Sequence, residues 1–300
     1  MLWMLAAILI CGASVFTACS SNDDNPFQPV VQVGIDKTNF PDDNFWNYLL
    51  EQDYGKDGVL TEAEIRNITV MDVSEKEIKS LKGIEYFTAL RTLNCSDNEL
   101  TELDISGNTA LDTLDCRYNE LTALDVSKNT ALRSLDCDFN ELTALDISKN
   151  TALTYLSCSG NSLTSLDISK NTALELLQCS GNDLTALDVS ANTSLVYMAC
   201  YSNQLATLDL SKNMALEKLL CFENQISGQN MDALIGSLRQ NESEEFCEFY
   251  VMDGNEPNQN VCTKSQAAAA KAKGWLPQYW DEDEEDWLEY EGSEPIREKK

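Results

Sequence analysis

The sequence predicts a solenoid of parallel β-coils, 21 residues per turn, with a small helical cap before it and an α+β cap after it. Three observations predict this α/β arrangement. Cys95, Cys116, Cys137, Cys158, Cys179, Cys200 and Cys221 stand 21 residues apart without an insertion. The residues around them recur at the same period, which marks an array whose units bury their apolar side only by stacking on neighbours. Each unit also splits into two half-motifs with the same spacing: Leu90, Leu93, Cys95 and Asn98 are followed by Leu100, Leu103, Ile105 and Asn108.

Residues 1–18 contain an uncharged apolar run, Leu2 to Ala18, that is short for a bilayer span and ends Phe16-Thr17-Ala18-Cys19. It reads as an export signal. A small residue before a single cysteine resembles the lipobox of bacterial lipoproteins, in which Cys19 becomes the lipidated N-terminus; a plain signal peptide cut near Ala18 is the alternative. Residues 19–33 begin Ser-Ser-Asn-Asp-Asp and read as a tether. A Ser and Asp run after the cysteine resembles the surface-export signal of Bacteroidetes lipoproteins. That resemblance implies a lipid-anchored protein at the outer membrane, facing the exterior.

Residues 34–67 form the first cap. Phe45, Tyr48 and Leu49 fall on one face of a helix starting near Pro41, and Asp53 to Glu64 fits most of the twelve-residue EF-hand loop. Asp53, Asp57, Val59, Thr61 and Glu64 take ligand positions, and Gly58 makes the sharp turn. Gly55 departs from the pattern, so one oxygen ligand is missing. The two readings are a calcium-binding cap and a metal-free cap that keeps the turn.

Residues 68–228 hold the array. Ile68, Met71, Val73, Ile78, Leu81 and Ile84 form a degenerate opening coil, six regular units run from Leu90, and a seventh stops after Ile226. The regular unit, L-x-x-L-x-C-x-x-N-x-L, is the leucine-rich-repeat signature with cysteine in a small apolar slot. About ten residues per half leave no room for a back helix, so strands or extended turns are expected on both sides, with coils advancing about 4.8 Å. Stacked Asn98, Asn119, Asn140 and their successors would bond each coil to its neighbour's backbone. The stretch from Phe40 to Trp275 resembles leucine-rich-repeat lipoproteins of Bacteroidetes and, more distantly, internalin-type adhesins, which implies a protein-binding role.

The seven cysteines read as buried small hydrophobes, because stacked Cβ atoms about 4.8 Å apart suit neither a tetrahedral metal cage nor a disulfide. Asp104, Asp125, Asp146, Asp167, Asp188 and Asp209 read as caps of their own turns. Residues 229–280 form the second cap: a helix over 230–238, a strand over 246–252 and an alanine-rich helix over 265–273 stopped by Gly274. Cys247 and Cys262 enclose a polar turn and are a candidate disulfide. Residues 281–300 form an acidic tail whose default state is solvated, although Trp287 and Tyr290 could pack.

A net charge of −29 with no histidine argues against nucleic acid and leaves the anchor as the sole membrane contact. It also removes the commonest general base. The second half-motif is nearly uniform on its outward side, whereas the cysteine-bearing strand varies, with Tyr118, Phe139, Tyr155, Tyr197, Tyr201, Leu220 and Phe222 as candidate ligand contacts. The expected function is recognition of a protein, with a glycan as the second choice, and no enzyme activity. A carboxylate glycosidase and an inert envelope spacer are the alternatives; the acids sit in repetitive or tail positions without a visible unique pair.

Overall fold

The computed structural model describes residues 32–253, 260–281 and 286–292. The export signal, Cys19 and nearly all of the tether lie outside these residues. The first cap comprises β1 (Gln32–Gly34), α1 (Asp43–Glu51), β2 (Val59–Thr61) and α2 (Glu62–Asn67). Asp42 caps α1 by accepting from Asn44 and Phe45, and Thr61 with Glu64 forms a capping box on α2. β1 pairs antiparallel with β2, so the cap includes Gln32 and Val33, from the stretch expected to be tether.

The solenoid carries one parallel strand per coil: β3 (Val70–Asp72), β4 (Thr92–Asn94), β5 (Thr113–Asp115), β6 (Ser134–Asp136), β7 (Tyr155–Ser157), β8 (Leu176–Gln178), β9 (Tyr197–Ala199) and β10 (Lys218–Leu220). Register is kept without a shift from β3 to β10, so Leu93, Leu114, Leu135, Leu156 and Leu177 stack in one column. A one-residue slip would turn that column out to solvent.

Of the strands or extended turns expected on the second side, the described residues form turns and no strand. Asp104 and its successors accept from the Ser N–H two residues on, and Asn108 donates to Ile105 and accepts from Leu111. These local turns consume backbone groups that a second ladder would need.

Two asparagine columns bind the coils. In the first, the Asn140 amide donates to the Cys116 and Cys137 carbonyls and its oxygen accepts from the Leu121 N–H. In the second, the Asn150 amide donates to Val126 and Asn129. The oxygens of this second series, Asn108 to Asn213, accept no hydrogen bond. The cysteines are fully buried, and the thiols of Cys116 and Cys137 lean on the next coil's carbonyls at 3.4 and 3.3 Å. Burial holds their pKa values well above the usual thiol range.

The second cap comprises α3 (Gln229–Ser237), β11 (Cys247–Asp253), α4 (Lys264–Ala272), β12 (Trp275–Asp281) and β13 (Asp286–Glu289). β11 pairs with β10 in parallel, and Val251 falls in the cysteine column. Asn260 donates to Cys221 and Val251 and accepts from Ile226, so it continues the asparagine column. The array therefore has a ninth coil, its period broken by added residues between Val251 and Asn260.

Cys262 stands two residues after Asn260, in the apolar slot that Ile226 fills one coil earlier. It neighbours Cys221, and burial pushes its thiol up to about 12. Cys247 meets the Arg239 guanidinium at 3.2 Å. No disulfide joins the two; the solenoid frame assigns them to different columns. Within the stretch expected to be a solvated tail, β13 pairs antiparallel with β12 and Trp287 packs on Phe222 and Tyr250.

The two asparagine columns predict unequal costs. Asn140→Ala strips a donor and an acceptor and should cost roughly 3 kcal/mol in denaturant unfolding, with Asn150→Ala costing roughly half of that.

Candidate functional site

The outward residues of β4 to β10, with the two turn residues after each cysteine, form the variable face. At the second turn position the backbone is left-handed in nearly every coil: Asp97, Tyr118, Phe139, Gly160, Gly181, Ser202 and Glu223 all have φ between 49° and 63°. Glycine takes this conformation without strain, whereas tyrosine and phenylalanine do not. Yet Tyr118 and Phe139 sit there, 47% and 50% exposed, with rings stacked at 4.6 Å and 4° between planes. The next coil accommodates them, because a Cβ on Gly160 would come within 2.7 Å of the Phe139 ring.

Tyr201 and Phe222 form a second stack, at 4.4 Å, one position earlier in the turn. This pair is more covered: Phe222 is 9% exposed, its ring 5.2 Å from Trp287, and Tyr201 is half-buried beside it. Tyr155, Tyr197 and Leu220 are half-buried on β7, β9 and β10. Gln178 donates to the Tyr155 hydroxyl, and Lys218, paired with Glu248 at 2.6 Å, lies over the Tyr250 ring. The seven candidates thus share one face but divide into an open aromatic pair, a covered one and three strand residues between.

Sequence reasoning missed a carboxylate cluster beside the open pair. Asp115 and Asp136 are neighbours across β5 and β6, with side chains 22% and 13% exposed, and Asp138 stands in the turn that directly follows β6. Arg117 approaches Asp115 at 3.4 Å and Asp136 at 3.8 Å. The Ser157 hydroxyl donates to Asp138 at 2.6 Å, and Tyr155 hydrogen-bonds Asp136. All three carboxyls are held above their usual pKa, chiefly by desolvation and with mutual repulsion added. The signal was present in the sequence as the places where Asp replaces Ser, Asn or Gln on the cysteine-bearing strand.

The aspartates of the second side behave oppositely. Hydrogen bonds from Ser127, Ser148 and Ser169 lower Asp125, Asp146 and Asp167. Open hollows on that side are lined by the uniform Leu103, Asp104 and Asp125, and by Leu187, Asp188 and Asp209.

In the first cap the carboxylates of the EF-hand-like loop do not converge. Asp53 is exposed and pairs with Lys56, Asp57 accepts from the Val59 N–H, and Glu64 accepts from Thr61. Gly55 lies against α1, where a Cβ would come 1.8 Å from the Leu49 carbonyl oxygen. The missing ligand at this position is thus a packing requirement. As arranged, these side chains do not fit a calcium ion, and among the described residues no three Asp, Glu or Cys gather as a metal-holding group.

The fold is that of a leucine-rich-repeat solenoid, and its structural neighbours are internalin-type leucine-rich-repeat proteins. A leucine-rich-repeat protein of Leptospira interrogans is 22% identical over 73% of this chain and 69% of its own, with a TM-score of 0.54. Internalin C2 of Listeria monocytogenes is 19% identical over 68% of this chain and 93% of its own, with a TM-score of 0.52. The functional domain of InlJ from Listeria monocytogenes, described as including a cysteine ladder, is 30% identical over 70% of this chain, with a TM-score of 0.44; this chain covers 56% of it. No family model and no curated protein matches the chain.

Two outcomes follow. Calcium should leave the melting temperature unchanged, and Gly55→Asp should lower it; a calcium-dependent rise abolished by Glu64→Gln would reinstate the metal site. For Asp136 and Asp138, folding raises the pKa, so their charged forms oppose folding as pH rises through the raised values. The Asp136→Asn, Asp138→Asn variant should melt above wild type at neutral pH, with the gap closing as the pH is lowered.

Proposed function

We propose that this chain is a recognition module of adhesion or adaptor type that binds a protein through the outward face of β4 to β10, centred on Tyr118 and Phe139. The observation that carries the reading is the strained, exposed aromatic stack. Left-handed backbone costs a non-glycine residue about 1 kcal/mol, and the two following coils avoid that cost with glycine. Large aromatic side chains held rigid and half-exposed provide contact area at little entropy cost. The leucine-rich-repeat fold supports the reading, because a rigid solenoid face suits binding better than chemistry.

Anchoring through a lipidated Cys19 would hold the module at the outer membrane, facing outward, with the membrane touched only by the lipid. In this reading no reaction is catalysed. Asp115, Asp136 and Asp138 stand on a sheet face beside a guanidinium, and the hollows around Leu103, Leu187 and Arg239 lie elsewhere.

Capture from host and bacterial extracts tests the assignment. A protein retained by wild type should be lost with Tyr118→Ser, Phe139→Ser and kept with Tyr201→Ser, Phe222→Ser, a stack whose Phe222 ring packs against Trp287. Turnover of a glycan library would replace the reading with a hydrolase, and absence of any captured protein would favour a spacer.

A further inference from the structure

The geometry points to a cationic contact: the patch formed by Asp115, Asp136, Asp138 and the Tyr118–Phe139 stack receives arginine or lysine side chains of a basic segment on the protein partner. This rests on the proposed recognition role and specifies its chemistry.

Charge complementarity carries the inference. Asp97, Asp115, Asp136 and Asp138 lie around Arg117, which interacts with each of them. Arg117 spans two of these carboxylates at 3.4 and 3.8 Å and is itself 45% exposed, so it neutralises them incompletely. The raised pKa values of Asp115, Asp136 and Asp138 are consistent with carboxylates crowded and desolvated without enough positive charge. An incoming guanidinium or ammonium would relieve that crowding.

The other end of the same face contains the arrangement in completed form. There Lys218 meets the Glu248 carboxylate at 2.6 Å and lies 4.9 Å from the centre of the Tyr250 ring. Lys218 and Ser134 belong to the same outward column, and Tyr250 lies in the column of Asp115 and Asp136. A cation held between a carboxylate and an aromatic ring is thus a contact this sheet already makes. Around Asp136 and Phe139 the carboxylates and rings are present, and a partner would supply the cation.

Alternation along the chain makes the two parts one surface. Arg117 directly precedes Tyr118 and Asp138 directly precedes Phe139, so acid, guanidinium and rings come from two adjacent turns. Planar guanidinium suits this combination better than ammonium, since it can stack on a ring while its edge donates to a carboxylate.

The test uses a fluorescein-labelled hexa-arginine peptide at physiological salt against wild type, Asp136→Asn with Asp138→Asn, and Asp146→Asn with Asp167→Asn. The last variant removes the same charge from the second side. Asparagine retains the carbonyl that accepts from Ser157, and melting curves report folding of each variant. Binding should weaken about tenfold in the first variant and stay within about twofold in the second.

Equal weakening in both would show diffuse attraction to an acidic protein and overturn the inference, as would no binding at all. A response to calcium or to a neutral glycan in place of the peptide would overturn it too. If a captured protein depends on Tyr118 and Phe139 but not on Asp136 and Asp138, the recognition role stands and the cationic contact falls.

Discussion

The asparagine amide at the end of each strand is the constraint on which the rest depends. A coil that turns sharply leaves backbone carbonyls and N–H groups facing inward, where they cannot reach water. Asn119, Asn140, Asn182 and Asn203 each donate to carbonyls of two successive coils and accept from the N–H that starts the second side. No other side chain of that size offers a donor pair and an acceptor in one plane. Position, spacing and register of every strand follow from this contact. The leucines and cysteines then fill a cross-section already set, which is why a small thiol suffices at the centre.

Much of this was legible in the sequence because each coil repeats the same decision. The cysteine column, the asparagine column, the strand spacing and the aspartate turn caps are all periodic, so one unit explains the others. The misses share the opposite property. The ninth coil escaped notice because extra residues separate Val251 from Asn260. Cys247 and Cys262 looked like a pair only while that coil was unrecognised. Strands on the second side were inferred from matching half-motifs, but apolar spacing does not reveal whether local Asp and Asn turns consume the backbone groups. Trp287 read as part of an acidic tail because its partners, Phe222 and Tyr250, lie far away in sequence. The site was half legible: the aromatics were visible as variation, whereas the acids gather only after strands β5 and β6 pair.

Two populations of aspartate show how one residue type serves different ends. On the second side, hydroxyl and N–H donors two residues on stabilise the charged form, so those carboxylates favour folding at neutral pH and lose that contribution under acid. On the sheet face, desolvation and neighbouring acids destabilise the charged form, so Asp136 and Asp138 oppose folding at neutral pH. The scaffold tolerates that local cost because the asparagine and leucine columns beneath are uninterrupted. Stability thus resides in the periodic interior, and the irregular exterior is free to be unfavourable on its own.

The unshifted register from β3 to β10 also makes the molecule a ruler. The open stack begins in the turn after β5 and the covered stack in the turn after β9, four strands further on, a separation of about 19 Å at the spacing of hydrogen-bonded strands. Loss or duplication of one 21-residue unit between them would change that separation by a single strand spacing while leaving the chemistry of each stack intact. Because both ends of such an exchange carry the same leucine, cysteine and asparagine columns, the seam would close without new contacts. Changes in unit number therefore alter reach in fixed increments, a discrete variable that point substitutions on the surface cannot reproduce.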